Sequence, residues 1–409
     1  MPGRRRPRLL VLNQYYHPGV EATAHLLTEL CEALADTYDV TVITGRLLGR
    51  ESDPDYERVN GVEVVRVHST AFDRSGLFRR GVNYFTYLGR ALRRGLRAPA
   101  RPDVVLCMTD PPMVGDIGLL VARRFRVPLV VVSQDVFPEI AVELKRLQNP
   151  VLVGVLGVLT RFYLRRADAV VAIGDTMRER LERKGVRSQR LRVIPNWVDT
   201  QAITPQPRDN AWARSNGLDG RFVVMHSGNI GHAQDLETLI RASTSLGDLE
   251  RLSVVLIGFG ARHAHHVQLA AEIGADKVSF LDYQPRELLP QSLSSADVHF
   301  VGLGKGLSGY VVPSRVYGIL AAGRPIIVAA DEESETARLV RRVECGVAIP
   351  PGKPDLLAAE IRKAAAGEYD LEAMGRRGRE WVEAEGGREH AVERYRALLD
   401  ELARGPAED

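Results

Sequence analysis

The sequence predicts an α/β protein made of two doubly wound, Rossmann-like domains. Three observations carry that expectation. At 409 residues the chain exceeds what one hydrophobic core supports. Short runs of Val, Leu and Ile alternate with amphipathic helical patterns, and strands apolar on both faces belong to parallel sheets covered by helices. The alternation breaks at a polar, proline-bearing stretch, Asn196–Asn216, and then restarts, which marks that stretch as a linker.

In the first half, Leu9–Leu12, Asp39–Ile43, Val62–Val67, Val104–Met108, Leu129–Val132 and Ala169–Ile173 read as buried strands. Helices are expected between them, among others over Ala24–Ala35 and Val114–Phe125. The second set of strands is Phe222–His226, Ser253–Ile257, Val278–Phe280, His299–Gly302, Pro325–Val328 and Gly346–Ala348. The domains then run 1–200 and 201–385. A terminal segment, 386–409, holds a helix over Glu389–Ala403 that is free to pack back on the first domain. Doubly wound sheets bind ligands beyond their strand C-termini, so two of them facing across a cleft make the loops after strands the informative ones.

Composition narrows the class. With 45% hydrophobic and 26% charged residues the chain is an ordinary folded protein, not a disordered or membrane-spanning one. The net charge of +3 is small, but arginine crowds the first half, from Arg4-Arg5-Arg6 through Arg93-Arg94 to Arg165-Arg166. Such asymmetry suits an anionic surface or substrate; a genome rich in G and C produces it as well. Cys31, Cys107 and Cys345 are scattered and read as reduced core thiols of a cytoplasmic protein. The N-terminal apolar run is a strand rather than a secretion signal, and the longest apolar stretch, Val151–Thr160, is too short to span a bilayer. Nucleic acid is not an expected partner.

The loops that follow strands carry the chemistry. Between Gly302 and Pro325 lie four glycines in eight residues, then Pro313-Ser314-Arg315 and a short apolar helix stopped by Gly323 and Pro325. Open backbone amides, a helix start at Ser314 and the Arg315 guanidinium describe a phosphate cradle; an ordinary strand–loop–helix connection is the alternative. Strand Phe222–His226 runs into Ser227-Gly228-Asn229-Ile230-Gly231, and on to Gln234, where backbone can approach a diphosphate. Gly258-Phe259-Gly260 is a lone GxG, weak by itself. Asp282-Tyr283-Gln284 either edges a nucleobase or is plain surface. Acidic residues from Asp331 to Glu335 follow the next strand and point at the same cleft.

Together these segments are specific. HSGNIGHAQDLETLI, VSFLDYQPRELL, ADVHFVGL, VPSRVYGILAAGRPII and DEESETARLV occur in an order that resembles the retaining GT-B glycosyltransferases of family 4. The likeness is to the bacterial branch acting on amino sugars or deoxysugars in surface polysaccharide assembly. It extends through the first domain, in Leu12–Ala35, SQDVFPEIA, RRADAVVAIG and VIPNWVD. The resemblance implies a nucleotide-sugar donor in the second domain, an acceptor facing the first, and retention at the anomeric carbon. By position, Asn229 and Gln234 fall where many relatives place an Arg and a Lys on the diphosphate. Ser314 and Arg315 fall on the segment near the phosphates, and Glu335 on an acidic position after the next strand. Gly19, Gly228, Gly258, Tyr283 and Gln284 are further candidates for binding the donor, read from their loops. One departure is plain: many members carry two Glu eight residues apart, and those slots are Tyr310 and Gly318 here.

Glycosyl transfer passes through an oxocarbenium-like state as a nucleoside diphosphate leaves, so the main demand is to stabilise negative charge on the leaving phosphate. Loop amides, Arg315 and the helix start at Ser314 suit that role without a metal. The single DxD, Asp53-Pro54-Asp55, lies in a polar loop and reads as surface rather than a metal site. On the acceptor side, Asp135 and Glu139 follow strand Leu129–Val132: Asp135 would hold the sugar or orient the acceptor hydroxyl and Glu139 would assist, unless Pro138 makes Glu139 only a helix-start residue. His17 and Glu21, on the first loop, are candidates to meet the acceptor, His17 alternatively the donor phosphate. The segment Arg74–Arg101 mixes apolar residues with many arginines. It reads either as a peripheral contact with the inner face of the membrane or as a helix with its apolar side in the core.

The leading expectation is a metal-independent retaining glycosyltransferase moving a hexose, deoxyhexose or N-acetylamino sugar. The co-substrate is a nucleotide sugar, UDP favoured over GDP or dTDP, and no resident cofactor is needed. The acceptor is a glycan, polyprenyl-linked or small molecule. A nucleotide-sugar 2-epimerase on the same fold, or a non-catalytic nucleotide-binding partner, are the alternatives.

Overall fold

The computed structural model describes residues 5–19, 21–50, 52–72 and 77–404. Arg4, Val20 and Arg74, and the side chains of Leu77, Phe78 and Arg80, lie outside the described residues. The chain forms two compact units, one running to Pro195 and resuming at Ala391, the other spanning Asn196–His390.

The first unit contains β1 (Arg8–Leu12), α1 (Ala22–Leu34), β2 (Asp39–Gly45), β3 (Tyr56–Val59), β4 (Val62–Val67), α2 (Leu77–Leu96) and β5 (Val104–Cys107). It continues through α3 (Val114–Phe125), β6 (Leu129–Ser133), α4 (Glu139–Glu143), α5 (Pro150–Arg166), β7 (Ala169–Ala172), α6 (Asp175–Arg183) and β8 (Leu191–Val193). The strand order is β3-β4-β2-β1-β5-β6-β7-β8, parallel throughout except at the edge pair β3–β4. Strands β5 and β6 are buried along their whole length, as strands covered on both faces must be. β3 and β8 escape the apolar-run criterion because edge strands bury only part of their surface, and YERV and LRV carry charges.

The second unit contains α7 (Ala211–Ser215), β9 (Phe222–Ser227), α8 (Leu236–Thr244), β10 (Leu252–Ile257), α9 (His263–Glu272), β11 (Val278–Leu281), α10 (Leu289–Ser294) and β12 (Val298–Gly302). It ends with α11 (Arg315–Ala321), β13 (Ile326–Ala329), α12 (Glu335–Val343), β14 (Gly346–Ile349), α13 (Pro354–Ala365), α14 (Leu371–Ala384) and α15 (Arg388–Ala403), which crosses into the first unit. Its sheet is all parallel, in the order β11-β10-β9-β12-β13-β14. The order reverses between β1 and β5 in the first sheet and between β9 and β12 in the second. Each switch point opens a crevice beyond the strand ends of its own sheet.

One expectation is corrected, and two that the residues left open take a definite form. The stretch Asn196–Asn216 is not a free linker: Val198 pairs with Gly387, Asp199 holds Arg388 at 2.8 Å, Arg379 bonds the carbonyls of Thr200 and Ile203, and Asn210 caps α7. The last helix docks on the first unit, where Asp400 accepts from Tyr38, Glu401 pairs with Arg192 at 3.2 Å, and Arg396 reaches the carbonyl of Ala33. The described part of the basic segment 74–101 takes the second of its readings, because α2 buries Tyr87, Leu88 and Ala91 in the core and leaves Phe85 as its one strongly exposed large apolar side chain.

Candidate functional site

At the second switch point the chain is folded tightly on itself. Gly228, with φ of +137°, donates to Ile257 O, and Gly258, at +128°, lies directly behind it. A Cβ on Gly258 would stand 2.0 Å from the Gly228 carbonyl oxygen, and one on Gly302 would stand 2.1 Å from that of Gln234. Only glycine permits these approaches. They draw the loops after β9, β10 and β12 together.

The amides of these loops are largely spent inside the protein. Ile230 donates to Phe259 O, Gly231 to the Gln234 side chain, Gly304 to Ala233 O, Gly306 to Asp331 and Leu307 to Gly304 O. The open amide cradle expected from the glycines is therefore mostly a set of loop-to-loop ties. Gln234 acts as one such tie, and exposed Asn229 lies beside Gly231 and Gly260. Ser314 stands at the N-cap of α11 but its hydroxyl makes no capping bond, and a seven-residue helix has little dipole to offer.

What remains is Arg315. Its Nη1 lies 2.9 Å from Nδ1 and 3.0 Å from Nε2 of His226. An in-plane approach to both nitrogens would drive Nη1 into Cε1, so the guanidinium covers the ring face. The backbone of Asn229 and of Phe300 faces the same ring. Burial, with Arg315 second, holds the His226 pKa well below its ordinary value, so the ring is neutral beneath the cation. Burial pushes Arg315 down to about 10, which still leaves it charged at neutral pH. Its Cζ would be 3.8 Å from a Cβ on Gly228, and among the described residues no carboxylate pairs with it. A half-buried cation against a bare glycine, without an acid, is a seat for an anion.

In the first unit the strand ends present acids. Asp135 follows β6; its pKa is pushed up to about 7, first by burial and then by Asp110, which follows β5 and accepts from Thr23 at 2.8 Å. Glu139, four residues on, opens α4 and is gripped by buried Lys184 Nζ at 2.6 and 2.7 Å. Lys184 also donates to Phe137 O at 3.1 Å. Glu139 is thus held in an ion pair that ties its loop to Lys184. His17 offers its carbonyl to buried Arg66, Gly19 donates to Tyr16 O, and Glu21 immediately precedes α1.

Two family models span most of this architecture: the glycosyl transferase 4-like domain matches residues 19–197, and the glycosyl transferases group 1 model matches 209–381. The chain is a glycosyltransferase of family 4. It is 28% identical to the glycosyltransferase WbjE of Pseudomonas aeruginosa over 67% of this chain and 68% of that protein. It is 29% identical to the colanic acid biosynthesis glycosyl transferase WcaI of Escherichia coli over 49% of this chain and 50% of that one. Among solved structures, Anabaena HepE in complex with UDP superposes with a TM-score of 0.73 at 15% identity, covering 96% of this chain and 99% of that one. The fold is GT-B.

Within this glycosyltransferase the remaining candidates divide. Tyr283 is exposed beyond β11, free to meet a ligand. The Gln284 amide is committed, accepting from Trp212 Nε1 and donating to Asp282 O, both at 2.8 Å. Glu335 opens α12 near Tyr317. A side chain at Gly318 would meet Leu293 and Ile203, an apolar setting. The DxD carboxylates are taken, Asp55 by Arg46 and His68 at 2.6 Å each and Asp53 by Arg50 at 3.8 Å. Sequence reasoning missed His226 and Asp110. A histidine ending an apolar strand before a glycine loop was the available signal for the first; Asp110 sits in a loop after β5 that carries no recognisable pattern.

Proposed function

We propose that this glycosyltransferase moves a sugar from a nucleoside diphosphate to a hydroxyl acceptor with retention at the anomeric carbon and without a metal. The observation that carries this reading is Arg315: a cation over neutral His226, facing Gly228, with no acid of its own among the described residues. As the glycosidic bond to phosphate lengthens, negative charge grows on the leaving diphosphate, and a guanidinium already in place lowers that barrier without reorganisation. Retention rests on the family resemblance of the donor-unit motifs.

Asp135 supports the acceptor role of the first unit. A carboxyl with a pKa near 7 is divided between its forms at neutral pH, and so can accept a proton from, or a hydrogen bond of, a sugar or acceptor hydroxyl. UDP is the favoured nucleotide, because HepE is described with UDP, with GDP and dTDP as alternatives. The name of WcaI, a colanic acid biosynthesis glycosyl transferase, favours a glycan acceptor, as the family resemblance does. A nucleotide sugar is a co-substrate, and no resident cofactor is invoked.

The test is a thermal-shift screen with UDP, GDP and dTDP, followed by transfer from the matching donor in EDTA. The reading expects one nucleotide to raise the melting temperature, turnover unchanged by EDTA, and product of unchanged anomeric configuration. Inverted product, or activity lost to EDTA and restored by Mg²⁺, overturns it.

A further inference from the structure

Helix α5 is apolar on two sides. One side enters the first unit through Thr160, Tyr163 and Leu164, which are buried. The other turns Val151, Leu152, Val155, Val158, Leu159 and Phe162 to solvent; Val151 is 73%, Val155 51% and Val158 59% exposed. The spacing of 151, 155, 158 and 162 sets them in one stripe along the helix. A contiguous exposed apolar face of this kind marks a docking surface.

Charge says what docks. Helix α5 holds no Asp or Glu, and its C-terminal end carries Arg161, Arg165 and Arg166. The guanidinium groups of Arg123 and Arg166 lie over the Phe162 ring, 5.9 and 3.9 Å from its centre. The same two arginines, with Arg126, Arg165, Arg187 and Arg190, line an open basin of about 620 Å³. Leu129 and Asp168 place that basin at the start of β6 and β7, the opposite end of the sheet from Asp135. Asp168, the one acid in the lining, accepts from Leu129 N at 2.9 Å, and among the described residues none of the six arginines pairs with a carboxylate.

We propose that this face seats the protein on a membrane surface rich in anionic phospholipid. The α5 stripe lies at the acyl boundary and the arginine basin lies over the headgroup phosphates. Helix α5 has 17 residues. At 1.5 Å per residue it is about 25 Å long, short of the ~30 Å hydrocarbon core, so it rests in the interface rather than crossing it. A second copy of the chain is the poorer occupant, because its α5 brings no acidic residue to meet these arginines. This contact uses α5 and not the 74–101 segment, and it stands whether or not the proposed reaction does.

The experiment is flotation of the full chain with phosphatidylcholine vesicles that contain or lack phosphatidylglycerol. Binding is expected only with phosphatidylglycerol and is weakened by salt. Val155→Glu and Val158→Glu are each expected to weaken it about tenfold, and Arg166→Gln or Arg187→Gln about fivefold. All four positions are on the surface, so unfolding temperatures should match the unmodified protein. Absence of flotation at low salt overturns the proposal, as does binding that survives Val155→Glu and Val158→Glu combined in one chain. A dimer split by Val155→Glu, with no vesicle binding, reassigns the face to a second copy of the chain.

Discussion

The two units solve opposite electrostatic problems with one architecture. In each, the strand order reverses beside the first strand of its sheet, and the loops at that reversal hold the candidate groups. In the first unit those loops carry acids, Asp110 and Asp135, and among the described residues no cation pairs with Asp135. In the second they carry glycines drawn together by backbone contacts and a cation, Arg315, with no acid paired to it among the described residues. A fold that places loops at strand ends does not dictate what they bind. On the proposed reading the sign of the uncompensated charge does: a hydroxyl or proton in the first unit, an anion in the second.

That contrast can be broken most sharply at Arg315. Arg315→Ala should lower turnover about a hundredfold or more, while Arg315→Lys, which keeps the charge but not the planar guanidinium, should recover part of it. Equal rates for all three proteins, measured as nucleotide release, would remove Arg315 from the reaction.

Asp135→Asn should lower turnover about a hundredfold and also change its pH profile. With the carboxyl titrating near 7, kcat/KM should rise as pH increases through that value, and the asparagine variant should lose the rise. Stability gives an independent reading with the opposite sign. A folded-state pKa raised from 3.8 to about 7 means that the native chain holds a proton the unfolded chain has released. Stability therefore falls as pH rises between those values, and Asp135→Asn should flatten that slope in denaturant titrations.

The smallest effect on rate should come from Glu139. Glu139→Gln leaves the buried Lys184 ammonium without its anion, which should cost about 1–3 kcal/mol of stability while turnover changes only a few-fold. Glu139→Gln combined with Lys184→Met should recover much of the loss in urea unfolding. A rate defect as large as that of Asp135→Asn would return Glu139 to the reaction.

Much of this was legible in the residues. Apolar runs located the central strands, because a strand buried on both faces has no choice of composition. They failed at Tyr56–Val59 and Leu191–Val193, where an edge needs only part of that burial. The glycine loops located the second switch point, but not the direction of their amides. Gly304 and Gly306 read as open donors until their acceptors, Ala233 O and Asp331, came into contact from distant segments. Asp135 and Glu139 looked alike for a comparable reason: Lys184 lies 45 residues beyond Glu139 and nothing in the local pattern announces it.

The sequence by itself determined two doubly wound units, the family, and which loops matter, since periodicity, turn chemistry and ordered motifs are local properties of a chain. Tertiary structure decided which charged group is left without a partner. Compensation of a buried charge is settled by whichever side chain arrives from elsewhere. Lys184 arrives at Glu139; among the described residues no carboxylate arrives at Arg315, and no cation at Asp135.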